Sequence, residues 1–263
     1  MTQFGTHPLV PKKRDIGAWL NDESFGWRAR IGVINPSAAI TFDHEWARML
    51  PRGVSFHVTR LLLVEGSPEA LEEMASHAAE AAAILATSRV HILCYACTLG
   101  SLFRGVEGER SLVAKLEETT GIPSVTMARA AVEALRILGV RRVAVANPYT
   151  EGSNKWVRAF LEAYGIEVVA LQGMEIADSW SIAQMAPSVA LDLGREVLEQ
   201  AKNADGLFLS CGNLRTIEIL DQLEKETGRP VVSSNQAMLW YALKVLGIKE
   251  IVRGYGRLLE QKL

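Results

Sequence analysis

Two hydrophobic rhythms alternate along this chain. Short β-branched apolar runs fall at 30–34, 54–59, 90–96, 123–125, 142–146, 166–171, 206–210 and 230–232. Such runs suit strands buried on both faces. Between them lie segments whose apolar positions recur at helical spacing: 41–50, 67–87, 111–120, 129–138, 152–164, 181–202, 214–227 and 236–246. Ser67-Pro68-Glu69 opens one of these with a capping hydroxyl, proline in the first turn and an early acid. Gly121 and Gly139 follow two others as stops, and Pro187 marks a break near the start of a third. Strand–helix alternation of this kind predicts an α/β fold with parallel sheets covered on both faces.

The order repeats. Asn35-Pro36 recurs 112 residues later as Asn147-Pro148, and Cys97 recurs 114 residues later as Cys211. Behind each cysteine comes the same phrase, Leu116-Glu117-Glu118-Thr119-Thr120-Gly121 in one half and Leu223-Glu224-Lys225-Glu226-Thr227-Gly228 in the other. The sequence therefore divides into an N-terminal arm (1–28) and two similar flavodoxin-like parallel-sheet lobes (29–140 and 141–263). The lobes are expected to be related by a pseudo-two-fold, with the active site in the cleft between them and room for the chain ends to cross over. Ligands of such sheets bind beyond the carboxyl ends of the strands.

Small polar residues gather at those ends. Asn35 and Ser37 follow the first strand, Cys97 and Thr98 the third. In the second half come Asn147 and Tyr149, then Cys211, Gly212 and Asn213, then Ser233, Ser234 and Asn235. Each cysteine precedes a predicted helix or glycine turn, whose free N–H groups favour an anion. Two thiols flanked by such donors suit proton transfer, or thiolate addition, at a carbon beside a carboxylate. Either cysteine alone reads equally as a small core residue; the matched positions are what set this pair apart. Cys94 reads as core.

Composition narrows the classes. The 263 residues are 49% hydrophobic, enough to bury a large core. Net charge is −2 with acids and bases interspersed, which argues against nucleic acid or an acidic membrane as partner. No apolar run is long enough to cross a bilayer, and residues 1–14 lack a signal-peptide core, so the expected location is the cytoplasm. Three cysteines do not make a secreted disulfide framework. The histidines form no ligand spacing, and Cys94 and Cys97 share a strand, so no metal is expected. The sequence carries no glycine-rich phosphate loop, and no cofactor is expected. Trp19, Phe25 and Trp27 suggest that the arm docks on the body or on a partner subunit, leaving homo-oligomerisation open.

These motifs carry a resemblance. Tyr95-Ala96-Cys97-Thr98, Asn147-Pro148-Tyr149, Ser210-Cys211-Gly212-Asn213-Leu214-Arg215-Thr216 and Pro230-Val231-Val232-Ser233-Ser234-Asn235-Gln236-Ala237 resemble the aspartate/glutamate racemase superfamily. Within it they are similar to the branch of maleate cis–trans isomerases and arylmalonate decarboxylases, over about 30–247. The resemblance implies that Cys97 adds as thiolate to the double bond of a small carboxylate or dicarboxylate. Cys211 would handle the proton at the neighbouring carbon, and Tyr149 would bind a carboxylate, helped by Asn35, Ser37, Thr98, Gly212 and Asn213. The related decarboxylases carry glycine in place of the first cysteine, so retention of both thiols favours a cofactor-independent isomerase. The alternatives are an arylmalonate-type decarboxylase, an amino-acid or hydantoin racemase, or a ligand-binding regulator without turnover. Two isomerase asparagines are missing, one within Ser37-Ala38-Ala39 and one at Ser179, which points to a larger or less charged acid with Trp180 near the entrance.

Overall fold

The computed structural model describes residues 25–261. Most of the arm, including Trp19, lies outside that range; Phe25 and Trp27 are exposed. Eight parallel strands form two four-stranded sheets. The first contains β1 (Ala29–Pro36), β2 (Val54–Leu61), β3 (Ile92–Tyr95) and β4 (Ser124–Thr126), in the order β2-β1-β3-β4. The second contains β5 (Arg142–Ala146), β6 (Glu167–Gln172), β7 (Gly206–Leu209) and β8 (Val231–Ser233), in the order β6-β5-β7-β8. The two orders are the same, as the sequence repeat requires. In each sheet the strand that leads to a cysteine, β3 or β7, lies at the centre beside the first strand of its half, with Ile34 opposite Tyr95 and Ala146 opposite Leu209. Every residue of β3 and β7 is buried, which explains their unbroken apolar character.

Helices cover both sheets. In the first half they are α1 (Thr41–Met49), α2 (Pro68–Ser76), α3 (Ala78–Ala86), α4 (Thr98–Leu102), α5 (Gly105–Thr120) and α6 (Met127–Ile137). In the second they are α7 (Glu151–Ala163), α8 (Ser179–Ala183), α9 (Pro187–Gln200), α10 (Leu220–Thr227) and α11 (Ser234–Val245). The halves are joined by packing of α6 on α11 and of α1 on α11. One apolar core, including Trp46 of α1 and Trp240 of α11, is continuous across them.

Two helices depart from the sequence pattern, and a third breaks where Pro187 marked it. The segment expected as one helix over 67–87 is two, because His77 leaves the helical ladder; α2 then packs on α4 while α3 packs on β1, β2 and α5. The segment over 181–202 breaks before Pro187, whose ring fits the first turn of α9. No helix starts directly behind Cys211. Residues 212–219 form turns, and α10 begins only at Leu220, because backbone groups in this stretch bond to side chains from elsewhere in the fold.

Candidate active site

Parallel strands carry their carboxyl ends to one side, and in this fold the carboxyl ends of both sheets meet at one cavity of about 330 Å3. Pro36 ends β1, Ala96, Cys97 and Thr98 follow β3, Tyr149 follows β5, and Cys211, Gly212 and Asn213 follow β7; all line this cavity. Both thiols are free and buried. An antiparallel bridge between Glu65 and Asp178, with Ser179 N–H donating to the Val64 carbonyl at 3.0 Å, joins two segments that line the cavity.

Each cysteine turns its sulfur back onto a following amide. Cys97 is the N-cap of α4, and its Sγ accepts from Gly100 N–H at 3.3 Å. Cys211 Sγ accepts from Asn213 N–H at 3.3 Å. Burial pushes both thiols up, Cys97 to about 12, against the pull of the Gly100 amide. Three donors act on Cys211: the amides of Asn213 and Leu214 and the Tyr149 hydroxyl. The Tyr149 hydroxyl also faces Thr98 and Ser210, and burial holds it well above the usual phenol range.

Further bonds tie the two cysteine loops together. Ser234 Oγ accepts from the Thr98 hydroxyl at 3.0 Å and from Cys211 N–H at 3.1 Å. Asn147 takes no place on the cavity wall. Its Oδ1 accepts from Tyr149 N–H at 2.9 Å and its amide donates to Asn154, which fixes the turn that presents Tyr149.

The candidate residues read from the sequence therefore divide. Cys97, Thr98, Tyr149, Cys211, Gly212 and Asn213 line the cavity; Asn35 and Ser37 do not. The Asn35 amide donates to the Ala39 carbonyl at 2.9 Å, and the Ser37 hydroxyl accepts from Leu63 N–H at 3.1 Å, so both serve the loop behind Pro36. Asn213 spends its side chain on protein. It donates to the carbonyls of Ala38 (3.2 Å) and Ser179 (2.7 Å) and accepts from Thr41 N–H (3.2 Å). Cys94 is wholly buried and away from the cavity lining.

Sequence reading missed Glu45 and gave no role to Ser234 or Asn235. Glu45 is fully buried, and its carboxylate accepts from the amides of Thr216 (2.6 Å) and Ile217 (3.1 Å) and from Asn235 Nδ2 (2.6 Å). The signal was present: Glu45 shares the face of Phe42, Trp46 and Met49 on an otherwise apolar helical stripe.

The walls are mostly apolar, supplied by Leu63, Leu71, Leu99, Trp156, Ile176 and Ile182. Among the described residues the lining includes no Lys, Arg or His, and its one charged side chain is Glu65. Ala39 and Ser179 both lie on the lining, and Trp180, next to Ser179 in the chain, is exposed. No cluster among the described residues has the composition of a metal site, and no helix among them is long and apolar enough to span a membrane.

Known proteins resemble this chain in sequence and fold. Arylmalonate decarboxylase of Bordetella bronchiseptica is 32% identical over 232 residues, covering 88% of this chain and 96% of that one. A maleate isomerase of Pseudomonas putida is 29% identical over 245 residues, with the same coverage of each chain. A structure of Nocardia farcinica maleate cis–trans isomerase, a cysteine-to-serine variant holding a covalent succinylcysteine intermediate, superposes with a TM-score of 0.84 at 26% identity, covering 89% of this chain and 99% of that one. The family profile described as arylmalonate decarboxylase matches residues 31–259. With that match over most of its length, the chain belongs to the arylmalonate decarboxylase family, whose relatives here include maleate isomerases.

Proposed function

We propose that this protein is a cofactor-independent isomerase of a small unsaturated carboxylic acid that bears an apolar substituent, with Cys97 and Cys211 as the reacting thiols. The observation that carries the reading is the pair of thiols at equivalent strand ends of two like-ordered sheets, both lining one cavity. Cys97 as thiolate adds to the carbon β to the substrate carboxylate. An S–C bond forms, the π electrons move into the carboxylate as an enediolate, and Cys211 gives its proton to the α carbon. The former double bond is now single and rotates. Cys211 then takes the proton back, the double bond re-forms in the other geometry and Cys97 leaves as thiolate. Thr98, Tyr149 and Gly212 supply the hydroxyl and amide donors for the carboxylate.

The walls support the apolar substituent. A second carboxylate would find no cation on the lining and would share the cavity with Glu65. Those walls, together with Ala39 and Ser179 in place of amides, also favour a second reading, decarboxylation of a substituted malonate with Cys211 as the proton donor to the enediolate.

One assay separates these. Maleate, alkyl- and aryl-substituted maleates, arylmalonates and amino acids are each incubated with the protein in D2O and followed by proton NMR. Cis–trans conversion of substituted maleates, abolished in both Cys97→Ala and Cys211→Ala, is the expected result. Loss of CO2 from malonates that depends on Cys211 alone would replace isomerase with decarboxylase. Exchange at the α carbon of an amino acid without net change would indicate racemisation. Full turnover in both single variants would remove the thiol chemistry altogether.

A further inference from the structure

We propose that Glu45 is a positioning residue that reaches across from the first half, braces the loop behind Cys211 at two points and keeps the Cys211 thiol protonated as the proton donor. The proposal rests on the two-thiol reading above. Its geometry is a chain of bonds. The Glu45 carboxylate accepts from Thr216 and Ile217 amides downstream of Cys211. It also accepts from Asn235 Nδ2, and the same amide nitrogen donates to the carbonyl of Gly212, the residue after Cys211, at 3.0 Å. Trp46, next to Glu45 on α1, donates from Nε1 to the Asn235 carbonyl at 3.1 Å and fixes that end of the chain.

The repeat supplies the contrast. Ser233 and Thr126 are the matching N-caps of α11 and α6. Counting from them, Ser234-Asn235 in the second half corresponds to Met127-Ala128 in the first. Alanine cannot carry a carboxylate's hydrogen bond to the loop. The device therefore acts on one thiol of the pair, which breaks the symmetry that a duplicated scaffold imposes. Two equivalent thiols would not divide the roles of nucleophile and acid.

The charge of Glu45 counters the three donors that pull the Cys211 thiol down. A buried carboxylate without a cationic partner is costly to the fold, and among the described residues no Lys, Arg or His pairs with Glu45. The ionisable groups around it are Glu218, whose charge is taken up by Arg48 (3.2 Å) and Arg215 (3.1 Å), and Cys211 itself; α11 contributes the neutral Asn235. Cys97 and Tyr149 complete the ionisable surroundings of the Cys211 side of the cavity. Burial raises Glu45 to about 7 against the pull of its amide donors. Above that pH it is charged, and its field opposes formation of a second anion at Cys211, adding to the effect of burial there.

Alkylation tests this without any substrate. The full-length protein is treated with iodoacetamide from pH 6 to 10, and peptide mass spectrometry reads Cys97 and Cys211 separately. Glu45→Gln should speed alkylation of Cys211 at pH 8 by about threefold. That is roughly a tenfold gain in thiolate for a one-unit fall in midpoint, reduced by the lower nucleophilicity of a more acidic thiol. Cys97 should be unchanged, and Glu45→Asp, which keeps the charge, should leave Cys211 near the native rate. An unchanged or slower Cys211, or equal acceleration at both cysteines, overturns the proposal. Should Glu45→Gln fail to fold, Cys211→Asp places a fixed charge at the other end of the interaction. The infrared titration of the Glu45 carboxyl should then move above its native midpoint of about 7, and an unmoved midpoint counts against the proposal. These readouts are independent of turnover, so failure of the isomerase reading in the NMR assay leaves them interpretable.

Discussion

At Tyr149 a single hydroxyl faces Cys211, Thr98 and Ser210 inside the cavity. It is held there by a turn that Asn147 closes. Its ring is buried, so Tyr149→Phe keeps the packing and removes only the donor. The expected result is a loss of about 100-fold in kcat/KM in the NMR assay, the usual effect of deleting one donor from an anion-stabilising set. Thermal stability should change little. The pattern at this residue was partly legible: a tyrosine three residues past a strand end in an Asn-Pro turn. What the sequence did not show is the direction of neighbouring side chains. Asn35 and Ser37 sit at an equally prominent strand end, yet both turn toward backbone groups, Asn35 to Ala39 of its own loop and Ser37 to Leu63 after β2. Residue type alone does not distinguish a donor aimed at a ligand from one that satisfies a buried carbonyl.

The elements around Cys211 show propensity yielding to tertiary bonds. Helical spacing over 214–227 is real, but Thr216 and Ile217 give their amides to Glu45, and the helix waits until Leu220. Asn213 lies in this irregular stretch and joins three segments: the loop after β1, the start of α1 and the start of α8. Asn213→Ala removes three side-chain bonds among buried or half-buried groups. At about 1 kcal/mol each, the variant should lose about 3 kcal/mol of stability by urea denaturation. Substrate KM should rise with it, since Ala38 and Ser179 flank cavity-lining positions. If stability falls by less than a few tenths of a kcal/mol, Asn213 is not the latch that its bonds describe. The glycine stops were legible for a plain physical reason. Gly121 and Gly139 follow α5 and α6 in the left-handed region, at φ 68° and 73°, which a side chain disfavours.

Across the whole molecule, the buried Glu45 links pH to stability. Its carboxyl ionises near 4.5 when unfolded and at about 7 when folded. Below pH 4.5 both states hold the proton. As pH rises to about 7, only the unfolded state releases it, so folding stability falls by about 3 kcal/mol over this window. Glu45→Gln cannot titrate. The difference in unfolding free energy between native protein and variant, measured by urea denaturation at pH 4.5 and 7.5, should therefore shift by about that amount against the native protein. A constant difference would show that Glu45 is not held neutral by the fold. The sequence by itself determined the large scale: eight strands, two like-ordered halves, and a cysteine after the third strand of each. Buried parallel strands and their stops are written in local apolar runs and glycines, and duplication writes the pattern twice. Only the tertiary structure decided which polar groups face the cavity and which brace it. Glu45 lies 166 residues from Cys211 in sequence, and its approach to that loop depends on how α1 packs against α11 across the two halves. No local pattern records that packing, because it is set by the joint burial of Trp46, Trp240 and their neighbours in one continuous core.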